Sequence, residues 1–172
     1  MSTASHDTVA SPSSWVARWS ELIPKGRVLD VACGSGRHSR YLLSQGYKVT
    51  AVDRDPQAID SVRFLQADLE DGSPWPLPGE RFQGIVVTNY LHRPLFALLM
   101  QSLAPGGVLL YETFMLGNER YGKPSNPKFL LRPGELLEAF KDLTVKAFEE
   151  GPVSVPKPAM IQRLCAVQAG KG

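Results

Sequence analysis

The 172-residue sequence predicts a doubly wound α/β domain, a mostly parallel sheet with helices on both faces. Three observations predict it. Short apolar runs recur along the chain, among them Val28-Leu29-Asp30-Val31, Val49-Thr50-Ala51-Val52 and Ile85-Val86-Val87, as buried strands require. Segments with apolar residues at helical spacing fall between many of these runs. A glycine-rich turn, Asp30-Val31-Ala32-Cys33-Gly34-Ser35-Gly36, joins the first strand to the helix after it. Folds of this class hold ligands at such a turn, beyond the carboxyl ends of the strands.

The elements follow in order. Residues 1–14, rich in Ser, Thr and Ala, read as a disordered tail, and residues 15–172 as one domain. No apolar core follows a basic start, so the tail does not read as a signal peptide. Ser13 or Ser14 caps a helix that places Trp15, Val16, Trp19, Leu22 and Ile23 on one stripe, and Pro24 stops it. Residues 27–31 form the first strand. Residues 37–45 form a helix with Tyr41, Leu42 and Leu43 inward, and Gly46 ends it.

The second strand, residues 47–52, ends at Asp53. Asp55-Pro56 opens a short helix through Ile59, and residues 61–67 form a third strand. Residues 82–89 form the fourth strand, residues 95–103 a helix, and Pro105-Gly106-Gly107 turns into a fifth strand over 108–114. Residues 117–131 are polar and too long for an ordinary connector, so they are expected to be functional or mobile. Pro133 starts a helix through Phe140. Residues 144–148 and 160–167 close the chain as an antiparallel hairpin.

Composition narrows the partners. The net charge of +2 is too small to argue for a nucleic acid or a membrane surface. No apolar run approaches the roughly 20 residues of a membrane helix. Cys33 and Cys165 make neither a disulfide framework nor a zinc set, so no metal is expected, and they read as reduced thiols in a cytoplasmic protein. The sequence does not define an oligomeric state.

The turn carries the chemistry. Gly34 and Gly36 allow positive φ and close approach of backbone to ligand, and the helix from Arg37 offers free N–H groups. Asp53, at the end of strand two, can accept two hydrogen bonds from ribose hydroxyls. Asp68, after strand three, can accept one from an adenine amino group while Leu69 packs on the ring. Asp30, Asp53 and Asp68 thus give three successive strand ends a carboxylate. A dinucleotide-binding oxidoreductase is the competing class. Against it, Ser39 stands at the third glycine position, and Asp30 opposes a pyrophosphate. A cationic sulfonium ligand such as S-adenosylmethionine has the complementary charge, with Asp30 positioned for its ammonium group.

Val28-Leu29-Asp30-Val31-Ala32-Cys33-Gly34-Ser35-Gly36 resembles motif I of the class I S-adenosylmethionine-dependent methyltransferases, with Ala32 where many members have the first glycine. Val52-Asp53-Arg54 and Gln66-Ala67-Asp68-Leu69-Glu70 resemble the segments at the ends of their second and third strands. Phe82-Gln83-Gly84-Ile85-Val86-Val87 and Leu103-Ala104-Pro105-Gly106-Gly107-Val108-Leu109 resemble the segments that open their fourth and fifth. The resemblance implies a Rossmann-like seven-stranded sheet with the last strand antiparallel. It implies a cofactor site of Asp30, Ala32, Cys33, Gly34, Gly36, Asp53, Arg54, Asp68, Leu69 and Asn89, with S-adenosylhomocysteine as product. Asn89-Tyr90-Leu91-His92-Arg93-Pro94-Leu95 resembles the tellurite-resistance type, whose acceptors are small molecules. The expected activity is methyl transfer to a small-molecule acceptor, a thiol or a selenium or tellurium oxyanion. A nicotinamide-dependent oxidoreductase and a non-catalytic binding module are the alternatives.

Methyl transfer is an in-line displacement in which the protein chiefly positions the reactants. His92 is the candidate general base and Tyr90 a candidate pocket residue; each has a plain packing role as its alternative. Arg93 reads as solvated or as an anion site, and His38 as a surface or cap residue. Trp15 and Trp19 read as packing or as part of a lid, and Trp75 as loop packing or cofactor contact. Arg120, Lys123, Lys128 and Arg132 read as a solvated loop or an anion-attracting rim.

Overall fold

The computed structural model describes residues 10–170. Seven strands form one sheet: β1 (Arg27–Val31), β2 (Lys48–Asp53), β3 (Arg63–Gln66), β4 (Phe82–Thr88), β5 (Leu103–Phe114), β6 (Thr144–Val153) and β7 (Ala159–Val167). Their order is β3-β2-β1-β4-β5-β7-β6. β1 to β5 pair in parallel, and β7 runs antiparallel to both β5 and β6. The chain winds outward from β1 to β3 and returns to place β4 beside β1. The crevice at that reversal is where an open α/β sheet holds its ligand.

Four short helices flank the sheet: α1 (Ser14–Trp19), α2 (Arg37–Ser44), α3 (Phe96–Gln101) and α4 (Glu135–Ala139). Alternation along the strands sorts them onto two faces. Val28, Val49, Val86, Val108 and Leu110 bury against Trp15 and Val16 of α1 and Leu42 of α2. Leu29, Val52, Ile85, Val87, Leu109 and Tyr111 bury against Leu99 of α3 and Leu136 of α4. The Trp15 indole N–H donates to the Leu164 carbonyl at 3.1 Å, so α1 is fastened to the sheet.

Several elements differ from expectation. The first helix ends at Trp19 and continues as a single 3₁₀ turn, which leaves Leu22 exposed instead of on the apolar stripe. No helix forms after Asp55; its N–H instead donates to the Asp53 carboxylate at 2.9 Å, closing a turn. β5 begins at Leu103, so the Pro105-Gly106-Gly107 turn is an irregularity within the strand, with Gly106 at φ 75°. β6 extends to Val153, well past Phe148, because β7 offers it a continuous partner.

The expected tail lies outside the described residues as far as residue 9. Beyond that, Ser13 caps α1, its hydroxyl accepting from the Val16 N–H, while its own N–H donates to His38 Nε2 at 3.0 Å. With Nε2 accepting, the proton sits on Nδ1 and can be donated to Thr88 Oγ1, 3.3 Å away. His38 is therefore buried and bridges α1, α2 and β4, not a surface residue. Among the described residues no helix is long and apolar enough to cross a membrane, and no group of His, Cys, Asp and Glu is placed to hold a metal ion.

Candidate active site

A cavity of about 520 Å³ opens at the carboxyl ends of the parallel strands. That is ordinary for a small-molecule site. One end is built from the turns after β1, β2 and β3. Gly34 adopts φ 54°, and a Cβ there would meet nothing within 4 Å, so the missing side chain leaves room at the cavity wall. The Gly34 N–H donates to Asp53 Oδ2 at 2.8 Å, and the Asp55 N–H to Oδ1 at 2.9 Å. Asp68 Oδ1 likewise accepts from the Glu70 N–H at 2.9 Å. Backbone donors thus hold both strand-end carboxylates in place, with lone pairs left for a ligand.

Of the residues expected to bind cofactor, Ala32, Gly34, Asp53, Arg54, Asp68, Leu69 and Asn89 line this cavity. Three do not. Asp30 is 1% exposed, accepts from the Ser39 hydroxyl at 2.7 Å and lies behind the turn. Burial raises its carboxyl to about 6, against hydrogen bonds from Ser39 that lower it. It supports the turn and does not line the cavity. Cys33 packs inward with Ala51 and Ile59, and burial pushes its thiol up to about 12. Gly36 is buried at φ 93°, and a Cβ there would sit 2.5 Å from Ile59 Cδ1. Its positive φ favours glycine, and it does not line the cavity.

The other end of the cavity is built from Tyr90, Leu91, Thr113, Phe114, Pro124 and Phe129. Tyr90 follows β4, its carbonyl held by the buried Tyr111 hydroxyl at 2.9 Å. Its own hydroxyl donates to Glu70 Oε2 at 3.3 Å; burial, then the Glu70 charge, raises the phenol above its ordinary value. His92 does not line this cavity. It faces a second one, of about 280 Å³, with Trp75 and Glu70, and its Nδ1 lies 3.6 Å from Glu70 Oε1. Glu70 lines both cavities, and His92 lines only the second.

The segment from 117 to 131 is a fastened strap. Asn118, 2% exposed, donates to the Pro124 carbonyl and accepts from the Met160 N–H. Leu130 and Leu131 are buried. Arg93 donates to the main-chain carbonyls of Lys128 and Leu130 at 3.1 and 3.0 Å and pairs with Glu135 at 2.6 Å. It is therefore a structural staple, not an anion site. Arg120 is turned back onto the Gly117 carbonyl, and Arg132 lies 3.7 Å from Glu135. α1 contributes nothing to the cavity, so Trp15 and Trp19 form no lid over it, and Trp75 lines only the second cavity.

Sequence reasoning missed Glu70, Thr113, Phe114, Pro124 and Phe129 as lining residues. Thr113 and Phe114 carried a usable signal, since they end a parallel strand beside the reversal. Phe129 carried none.

A sheet of order 3-2-1-4-5-7-6 with a reversed β7, bearing its cavity at the β1–β4 reversal, defines a class I methyltransferase architecture. Residues 28–107 match the family model described as a methyltransferase domain. That segment is just under half of the chain, and over it the chain is similar to methyltransferases. It is 35% identical over 104 residues to the malonyl-[acyl-carrier protein] O-methyltransferase of Serratia marcescens, covering 55% of this chain and 41% of that one. The chain spans half or less of the length of the curated relatives it matches. Among solved structures it is similar to TehB from Haemophilus influenzae, with a TM-score of 0.72, 20% identity and coverage of 97% and 63%. It is also similar to the Burkholderia thailandensis 1,6-didemethyltoxoflavin-N1-methyltransferase solved with S-adenosylhomocysteine, with a TM-score of 0.63, 22% identity and coverage of 87% and 74%. At these identities the two structural likenesses are of fold.

Proposed function

We propose that the chain is an S-adenosylmethionine-dependent methyltransferase acting on a small-molecule acceptor in the cytoplasm. One observation carries this. Asp53 and Asp68, each held by backbone N–H groups, share one cavity with the open space at Gly34. Asp53 suits the ribose hydroxyls, Asp68 the adenine amino group and Leu69 the ring face. Ala32, Gly34, Arg54 and the Asn89 backbone complete the cofactor end. When bound, the cofactor supplies a methyl group on a cationic sulfur.

The cavity's charge supports a cation over a dinucleotide. Asp53, Asp55, Asp68 and Glu70 line it against the single guanidinium of Arg54, an unfavourable set for a pyrophosphate. The Ser39 hydroxyl is already spent on Asp30, so it is unavailable to a phosphate. The chain's own part in the reaction is to bind, orient and keep water from the acceptor end, where Phe114, Phe129 and Pro124 supply apolar wall.

Calorimetric titration with S-adenosylhomocysteine tests the cofactor. Binding in the micromolar to millimolar range is expected, with none for NAD; a folded sample that ignores the homocysteine ligand overturns the proposal. Turnover of any thiol, oxyanion, phenol or amine then excludes a binding module without activity.

A further inference from the structure

We infer that the acceptor is an uncharged, flat small molecule with an apolar face, and that the cavity discriminates against anionic acceptors. This rests on the cofactor proposal above and concerns the opposite end of the same cavity.

Three rings and ring-like walls converge there: Tyr90 and Phe114, both half-buried, and Phe129 with Pro124 from the strap. Aromatic walls favour a flat partner, which stacks or meets them edge to face. Charge points the same way. Among the described residues no lysine lines the cavity, and Arg54, its only guanidinium, follows β2 at the cofactor end. Arg93, the cation nearest in sequence to Tyr90, is consumed by Glu135 and two carbonyls. Lys123 and Lys128 belong to the strap but lie outside the cavity lining. Glu70, a carboxylate, lines the cavity and accepts from Tyr90 at that end. An oxyanion or carboxylate seated there would meet a like charge and no counter-ion.

In the transfer, the acceptor's nucleophilic atom bonds to the methyl carbon as the carbon–sulfur bond breaks. That electron pair stays on sulfur, and the acceptor's proton leaves to solvent past the exposed Glu70 carboxylate.

Two matched probes test this by binding alone. Full-length protein saturated with S-adenosylhomocysteine is titrated with 2-naphthol and with 6-hydroxy-2-naphthoate, at low and at high salt. The neutral probe is expected to bind at least about tenfold more tightly at low salt, with the gap narrowing as salt screens Glu70. Phe129→Ala should weaken 2-naphthol several-fold while leaving the affinity for S-adenosylhomocysteine unchanged. Equal or tighter binding of the carboxylate overturns the inference, as does binding of neither probe. Failure to bind S-adenosylhomocysteine sinks the cofactor proposal and this one with it; intact cofactor binding without the expected preference sinks this one alone.

Discussion

The two ends of the cavity are made in different ways. At the proposed cofactor end each strand-end carboxylate is held by a backbone N–H within two residues of itself or in the neighbouring turn: Asp55 and Gly34 to Asp53, Glu70 to Asp68. At the acceptor end the wall is assembled from distant segments. Tyr111 secures Tyr90, and Arg93 reaches 35 and 37 residues along the chain to hold the strap. Local turn chemistry makes the first end, and side chains spanning the fold make the second. A single substitution should therefore damage one end without the other.

The largest effect is expected at Asp53. Asp53→Ala removes the proposed ribose contacts and frees the Gly34 N–H, which should weaken S-adenosylhomocysteine binding about 100-fold, with charge-assisted hydrogen bonds worth about 1.5–3 kcal/mol each. Unchanged affinity by calorimetry would break the comparison, because the cofactor end would then not depend on its turn carboxylates.

Arg93→Ala acts at the other end. It leaves Glu135, whose side chain is 6% exposed, with only the distant Arg132 guanidinium and backbone partners. We expect a loss of about 2 kcal/mol in urea unfolding, somewhat below the cost of breaking a fully buried pair. Affinity for S-adenosylhomocysteine should change by less than about threefold. A large loss of that affinity would mean that the strap supports both ends.

The smallest effects sharpen what lies beneath the cofactor end. Asp30 is raised to about 6 in the fold from 3.8, so the folded state holds its proton more tightly. Its contribution is favourable at low pH and is lost as pH rises through about 6. Asp30→Asn, which can still accept from Ser39, should thus gain stability over the parent above pH 6 and little below pH 4. His38 is lowered to about 4 from 6.5 by burial and by Arg37. It stays neutral in the fold, so stability falls as pH drops from about 6.5 towards 4. The two opposing slopes share one window, and the parent's urea midpoint should vary less across pH 4–6.5 than that of either Asp30→Asn or His38→Gln. A parent curve steeper than both variants would show that the two do not offset each other.

How much was legible in the sequence follows the same division. The seven strands and the turn from Asp30 to Gly36 are written in contiguous residues, because a buried strand and a glycine at positive φ are local requirements. Asp53 and Asp68 line the cavity for the same reason: each sits at, or just past, the carboxyl end of a strand. The charge of Asp30 was legible but its burial was not; the Ser39 hydroxyl that donates to it lies nine residues on, in α2. His92 is close to Tyr90 in sequence, but the two line different cavities, which no local pattern encodes. Arg93's partner Glu135 and the wall residue Phe129 depend on tertiary packing that no local pattern encodes.

The way Arg93 holds the strap bears on how such a site can diversify. It grips the carbonyls of Lys128 and Leu130, groups that every amino acid possesses, while the side chain between them, Phe129, stays 45% exposed over the cavity. The anchor is blind to what residue 129 is. Exchanging that ring for a smaller, larger or polar group leaves the grip intact, so position 129 is where acceptor range could drift in evolution, or be shifted by hand, without first having to rebuild the scaffold.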